Sequence, residues 1–316
     1  MALIQRVGVT FNLAFMARRK LFLAFSAAMI LATVGLVLVQ GLNFGVDFRG
    51  GILIEARTDG PADLATLRSI LGGLGLGEVT LQEFGEPSDV LINVQRQEGD
   101  EAEQIKAIQI VKEALEGRVV EYRRTEFVGP KVGSELKQAG AMATGFALLA
   151  IGLYIWFRFE WQFSLAALIA LIHDVVATIG FYSLLQIEFN LATLAAILMI
   201  AGYSINDTVV IFDRVRENLR KYKKMALFEL LDRSINQTLS RTVLTSVTTL
   251  LALLALFAFG GAVIRGFTSG LIWGVVIGTY SSIALAVPLL ASFNVRGAAA
   301  GGDKKDGESQ EDAAKA

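Results

Sequence analysis

The sequence predicts a polytopic α-helical membrane protein with six transmembrane helices. One ferredoxin-like α+β domain (βαββαβ) is expected between helices 1 and 2. Three observations carry this. Hydrophobic residues make up 53% of the 316, and charged residues only 19%, where a soluble domain carries about a quarter. The apolar residues gather into six stretches, each close to the roughly 20 residues that cross a bilayer. Almost a hundred residues of water-soluble character separate the first stretch from the second.

The stretches fall at about 21–40, 138–157, 162–185, 191–212, 241–260 and 267–292. Residues 1–20 are expected to be an N-terminal cytoplasmic segment, because Arg18, Arg19 and Lys20 stand before the first span and bases mark the inner side. Arg18 to Leu23 also resembles a twin-arginine export signal. The apolar run is too long for one, and no A-x-A site follows. An uncleaved anchor is therefore expected.

Residues 41–137 form the expected exported domain, with 17 acids against 11 bases. Ile52, Ile54 and Ala56 alternate with Leu53, Glu55 and Arg57, which predicts a strand over Gly51–Arg57. Pro61 is expected to open a helix that runs to Leu71, since its missing N–H costs little there. Strands are expected at Glu78–Phe84 and Val90–Gln95, around a turn at Gly85–Asp89. Glu101–Glu116 reads as a second helix, stopped by Gly117, and Val119–Val128 as the last strand. This order is the ferredoxin-like pattern. The glycines at 72, 73, 75 and 77 follow a helix, not a strand, so a flexible turn is expected there and not a nucleotide loop.

Residues 138–292 read as a five-helix core with a basic cytoplasmic loop at 213–240. That loop carries Arg214, Arg216, Arg220, Lys221, Lys223, Lys224 and Arg233. Residues 293–316 read as a disordered cytoplasmic tail. With no cysteine and one histidine, neither a thiolate site nor a multi-histidine metal centre is expected. The net charge of -1 gives no basis for a nucleic-acid partner.

An ionisable group at the bilayer centre costs about 2.5–3.5 kcal/mol on insertion scales, so each is a functional candidate. His173-Asp174 lies near the middle of span three, as a structural hydrogen-bonded pair or as a proton relay. Asp207 lies in span four, roughly 24 Å along the helix from Leu191 at 1.5 Å per residue. Ser204, Asp207 and Thr208 share its face. Arg241 opens span five, followed by Thr242, Thr245, Thr248 and Thr249. Arg241 can snorkel to the headgroups or pair with Asp207, and protonating Asp207 would break such a pair. In span six Gly266, Gly270, Gly274, Gly278, Ser282 and Ala286 recur every four residues. This predicts close helix packing, within the chain or on a partner.

Four stretches resemble the SecD/SecF family of bacterial protein-export membrane proteins. They are Leu42–Gly51 after span one, Val128–Leu136 before span two, Gly202–Asn218 closing span four, and Asn236–Thr242 opening span five. The resemblance covers about residues 10–292. It implies a resistance-nodulation-division core in the bacterial inner membrane, with both termini cytoplasmic and the soluble domain periplasmic. It implies a pseudo-symmetric complex with a SecD partner, docking to the SecYEG channel, and often YajC. It also implies use of the proton-motive force to complete preprotein export, with protons as coupling ion and no other cofactor. The family's proton-path aspartate and arginine map onto Asp207 and Arg241, and a threonine one turn on maps onto Thr245. The His-Asp pair of span three is also a family feature.

Three other readings compete. A proton-driven small-molecule or lipid exporter shares the core, but is expected to carry larger domains and two fused halves. An intramembrane aspartyl protease using Asp174 and Asp207 needs both carboxylates on one water. A scaffold without proton chemistry leaves Asp207 and Arg241 unexplained. No catalytic centre is expected.

Overall fold

The structure is a computed structural model that describes residues 12–84, 86–293 and 295. A 3-10 turn, Met16–Arg18, leads into helix α1 (Arg19–Val39). A one-turn helix α2 (Val46–Arg49) joins it to the α+β domain. That domain runs β1 (Gly51–Thr58), α3 (Leu64–Gly72), β2 (Val79–Phe84), β3 (Glu86–Gln95), α4 (Glu101–Ala114) and β4 (Val119–Val128). Four long helices follow: α5 (Pro130–Arg158), α6 (Trp161–Leu185), α7 (Leu191–Lys221) and α8 (Leu227–Phe259). The last span comprises α9 (Gly261–Ser281), a π-helical turn (Ser282–Ala286) and α10 (Val287–Ser292). Among the described residues, six helical segments are long and apolar enough to cross a membrane.

The four strands are antiparallel in the order β2-β3-β1-β4, as the ferredoxin-like pattern requires. One sheet face carries Ile52, Ile54, Val90, Ile92 and Val94. It buries them against Leu67 and Leu71 of α3 and Val111 of α4. Strand alternation places these residues together. Asp89 is bridged by Arg57 at 2.7 Å and Arg123 at 3.0 Å. The Arg57 hydrogen bond, opposed by desolvation, holds that carboxyl below its ordinary range.

Several boundaries differ from the sequence reading. Pro61 does not open the first domain helix. Asp63 caps it instead, accepting from the amides of Ala65 and Thr66, because a carboxylate satisfies two orphan N–H groups that a proline leaves open. The second domain helix ends at Ala114. Strand β3 begins at Glu86, so residues 86–89 of the expected turn are strand, and residue 85 lies outside the described residues. The domain ends at Val128, because α5 already starts at Pro130.

The stretch 213–240 is mostly helical, not a loop. Helix α7 runs on to Lys221, and α8 starts at Leu227. The extensions pair through Val215, Leu219, Leu230, Leu231 and Ile235, all buried. The Asn218 side-chain amide donates to Ser234 Oγ at 2.8 Å and to Gln237 Oε1 at 2.9 Å. The chain before α1 docks on the same hairpin, with the Met16 amide donating to Asp232 at 2.9 Å. The expected tail 293–316 lies outside the described residues except for Phe293 and Val295.

The segment between α1 and β1 fastens the domain to the helix bundle. The Phe189 amide donates to the Asn43 carbonyl at 2.7 Å, and the Gly45 amide to the Phe189 carbonyl at 2.9 Å. Phe48 stacks on Phe189, and Phe44 meets both rings edge-to-face. Asp47 accepts from the Leu191 amide at 2.9 Å and so helps cap α7. Gly50 and Gly51 sit at φ 76° and 149°. A Cβ on Gly51 would lie 2.7 Å from the Val94 carbonyl oxygen, so the entry to β1 admits glycine alone.

Candidate functional site

The polar residues of the helix bundle fall into two adjacent groups on α7. The first centres on Asp174, which is wholly buried. His173 Nδ1 lies 2.9 Å from Asp174 Oδ1. Ser204 of α7 and Ser281 of α9 both donate to Asp174 Oδ2, at 2.5 and 2.7 Å. One carboxylate thus joins α6, α7 and α9. A buried carboxylate with this many donors is satisfied. His173 Nε2 has no hydrogen-bond partner among the described residues.

Ser281 and Ser282 went unread as polar ligands in the sequence, where Ser282 counted only as a small residue of the stripe. Ser282 lies 2.7 Å from Thr208 Oγ1. Both serines sit at the start of the π-helical turn, a feature frequent at functional sites. The available signal was a pair of hydroxyls in an otherwise apolar span.

The second group centres on Asp207, one turn beyond Ser204 and 3% exposed. It faces α8. The charge of Arg241 acts on its carboxyl, and the Thr245 hydroxyl is within its reach. Asp207 and Arg241 do not close into a salt bridge among the described residues, and Asp207 Oδ2 has no hydrogen-bond partner there. Thr245 donates to carbonyls of its own helix, Arg241 at 3.0 Å and Thr242 at 2.9 Å. Thr242 is buried with its hydroxyl unpaired, whereas Arg241 is exposed. Thr248 bonds its own helix, and Thr249 accepts from Tyr203 at 3.4 Å. An uncompensated carboxylate in a low-dielectric bundle is costly, and it can become neutral by taking up a proton.

Asp174 and Asp207 share no hydrogen-bond partner among the described residues. Ser204 connects the two groups through the backbone turn between it and Asp207.

The glycine stripe sets the spacing of these helices. A Cβ on Gly266 would meet Ile187 at 3.2 Å, and one on Gly278 would meet Ser204 Cβ at 3.0 Å. At Gly270 it would strike the Tyr182 phenol, and at Gly274 the Ile200 side chain. The stripe therefore packs against α6, α7 and their connection, within the chain. It brings Ser281 near enough to reach Asp174. Among the described residues no cluster could hold a metal ion.

Two family profiles match the chain. "Protein export membrane protein SecD/SecF, C-terminal" matches residues 108–296, and the "SecD/SecF GG Motif" matches residues 35–62. The protein translocase subunit SecF of Rickettsia felis is 49% identical over 284 residues, which is 88% of this chain and 91% of that protein. Its counterpart in Rickettsia prowazekii is 48% identical over 284 residues, 88% of this chain and 90% of that protein. The crystal structure of SecDF from Thermus thermophilus, a translocon-associated membrane protein, superposes with a TM-score of 0.79 at 36% identity. It covers 90% of this chain and 39% of that one. SecDF in its super-membrane-facing form gives 0.69 at 36% identity, over 94% of this chain and 40% of the other. The chain thus spans about two fifths of the SecDF chains it matches. The Gly50-Gly51 entry to the sheet, the six-span bundle and these matches have one conclusion: the chain belongs to the SecD/SecF family of protein-export membrane proteins.

Proposed function

We propose that this chain is a SecF-type auxiliary subunit of the Sec protein translocase, and that Asp207 is where it takes up protons. Its partner is a SecD-type chain supplying the other half of the bundle, docked on SecYEG with YajC alongside. Its α+β domain faces the periplasm, both termini face the cytoplasm, and the translocating preprotein is the load. The matched relatives carry translocase names, and the exporter reading gains no support from them.

The observation that carries the proton reading is the Asp207 carboxyl. It is buried in a span, opposite Arg241 and Thr245, with one oxygen unpartnered. Such a group responds to a proton by changing the attraction between α7 and α8. Asp174, by contrast, already has its donors. One charge moving through 100 mV yields about 2.3 kcal/mol. That biases a two-state element roughly fiftyfold, enough to favour one position of the domain.

The test is export of a secreted reporter in cells carrying Asp207→Asn, at matched levels of this chain and its partner. Asparagine keeps the shape and removes the titrating proton. Precursor is expected to accumulate while the complex still assembles. Normal export with Asp207→Asn would remove Asp207 from the coupling and favour a scaffold.

A further inference from the structure

At the end of the bundle opposite the α+β domain, the last turns of α5 and α7 enclose an open groove of about 560 Å³. It is lined by Arg158, Asp213, Arg216, Glu217, Arg220 and Lys221. Four cations and two carboxylates thus face one concavity. The carboxylates neutralise it only in part. Glu217 is held by Arg214 at 2.7 Å, a base outside the lining. Asp213 pairs with Arg158 at 3.5 Å and Glu160 with Arg216 at 3.5 Å, both loose ion pairs, which leaves Arg220 and Lys221 as the lining bases without a salt bridge among the described residues. Arg216 Nε is buried and makes no hydrogen bond among the described residues, and its ion pair to Glu160 runs through that same atom at 3.5 Å.

The position along the helices matters as much as the charge. Arg158 is the last residue of a candidate span. Beside it stand Phe157, 93% exposed, and Trp156 and Trp161, 60% and 55% exposed. Aromatic side chains of this kind mark the headgroup level of a bilayer. A phosphate in the groove would therefore have apolar surface directly beside it, toward the bilayer interior.

We propose that this groove binds the phosphodiester headgroup of an anionic phospholipid, its acyl chains lying along the exposed face of α5. Basic pockets between transmembrane helix ends take such headgroups. The arginine fork matches phosphate oxygens in pairs, and Arg216 and Arg220 stand one helical turn apart on α7. The site requires only that the bundle lies in a bilayer. It is separate from Asp207 and does not depend on proton coupling.

The test uses the full chain in nanodiscs of phosphatidylcholine containing a minor fraction of brominated lipid, with tryptophan quenching as the readout. Trp156 and Trp161 lie within three residues of Arg158 along the chain and are exposed. Trp273 hydrogen-bonds to Ala177, roughly 24 Å further along α6 at 1.5 Å per residue, and supplies a constant background. Brominated phosphatidylglycerol is expected to quench more strongly than brominated phosphatidylcholine at equal mole fraction. R216Q/R220Q is expected to lose that preference. R220Q/K221Q, which disturbs no salt bridge of the bundle, is expected to weaken it about 25-fold, from the roughly tenfold-per-1.4 kcal/mol scale and about 1 kcal/mol for each of the two bases. K20Q, on the exposed start of α1, is expected to leave it unchanged. Equal quenching by both lipids, or a preference that survives both double variants, overturns the site. Equal losses in K20Q also overturn it, in favour of a diffuse basic surface. Displacement by excess inorganic phosphate overturns the lipid assignment in favour of a free phosphate.

Discussion

Asp174 and Asp207 lie on neighbouring helices of one bundle and are treated oppositely by their surroundings. Asp174 has His173 at one oxygen and two serines at the other. Asp207 keeps an oxygen unpartnered and has a cation nearby that does not reach it. The difference gives the two substitutions different signatures. Asp174→Asn places an amide where two hydroxyls and a ring nitrogen converge, so a donor loses its acceptor. A cost of about 1–3 kcal/mol is expected, seen as a lower melting temperature of the purified chain in detergent. Asp207→Asn leaves the hydrogen bonds around Asp174 intact and is expected to melt close to the native chain while export fails. If Asp174→Asn melted normally, the carboxylate would not be a packing hub. The candidate residues were legible because charges in apolar spans stand out. Their division into a satisfied and an unsatisfied carboxylate was not, since it depends on Ser281, more than a hundred residues away.

At the scale of elements, the glycines of α9 and α7 are not equivalent. A Cβ at Gly274 would collide with Ile200, whereas one at Gly202 on α7 has nothing within 4 Å. Gly274→Ala is therefore expected to destabilise by about 1–3 kcal/mol through overpacking. Gly202→Ala is expected to be neutral or slightly stabilising, as alanine favours helix over glycine by roughly 1 kcal/mol. Thermal melts of the two variants side by side check this, and equal losses would mean that helix propensity, not contact, governs the stripe. The four-residue period announced the packing. Its target did not appear in the sequence, because the partner residues lie on two helices, Tyr182 on α6 and Ile200 and Ser204 on α7, and share no residue type. The same limit explains the basic stretch 213–240. Charge density reads as a loop, while Val215, Leu219, Leu230, Leu231 and Ile235 bury each other in a helical hairpin.

Across the whole molecule, the α+β domain is tied to the bundle by few groups, and two of them, Asp47 and Glu188, are carboxyls. Glu188, between α6 and α7, accepts from the Gln82 amide of β2 at 3.1 Å. Burial, and secondarily the charge of Asp47, push its carboxyl above the ordinary range against the Gln82 hydrogen bond. A raised carboxyl favours the neutral form in the docked state. The junction is therefore tightest below the ordinary glutamate range and loosens as pH rises through the raised value. Hydrogen exchange at Val79–Phe84, corrected for intrinsic rates, is expected to show protection falling with pH in the native chain. In Glu188→Gln it is expected to stay flat. A pH dependence that persists in Glu188→Gln would place the titrating group elsewhere.

Composition and periodicity by themselves determined the membrane class, the six spans, the order of domain elements and the residues able to carry charge inside the bilayer. These are local properties, set by transfer of side chains from water and by the repeat of helix or strand. Tertiary structure alone decided where α7 and α8 end, which helix the glycines touch, that Asp174 is saturated and Asp207 is not, and that four bases meet in one groove. Those facts depend on contacts between residues far apart in the chain, and no local pattern encodes which distant hydroxyl or cation arrives.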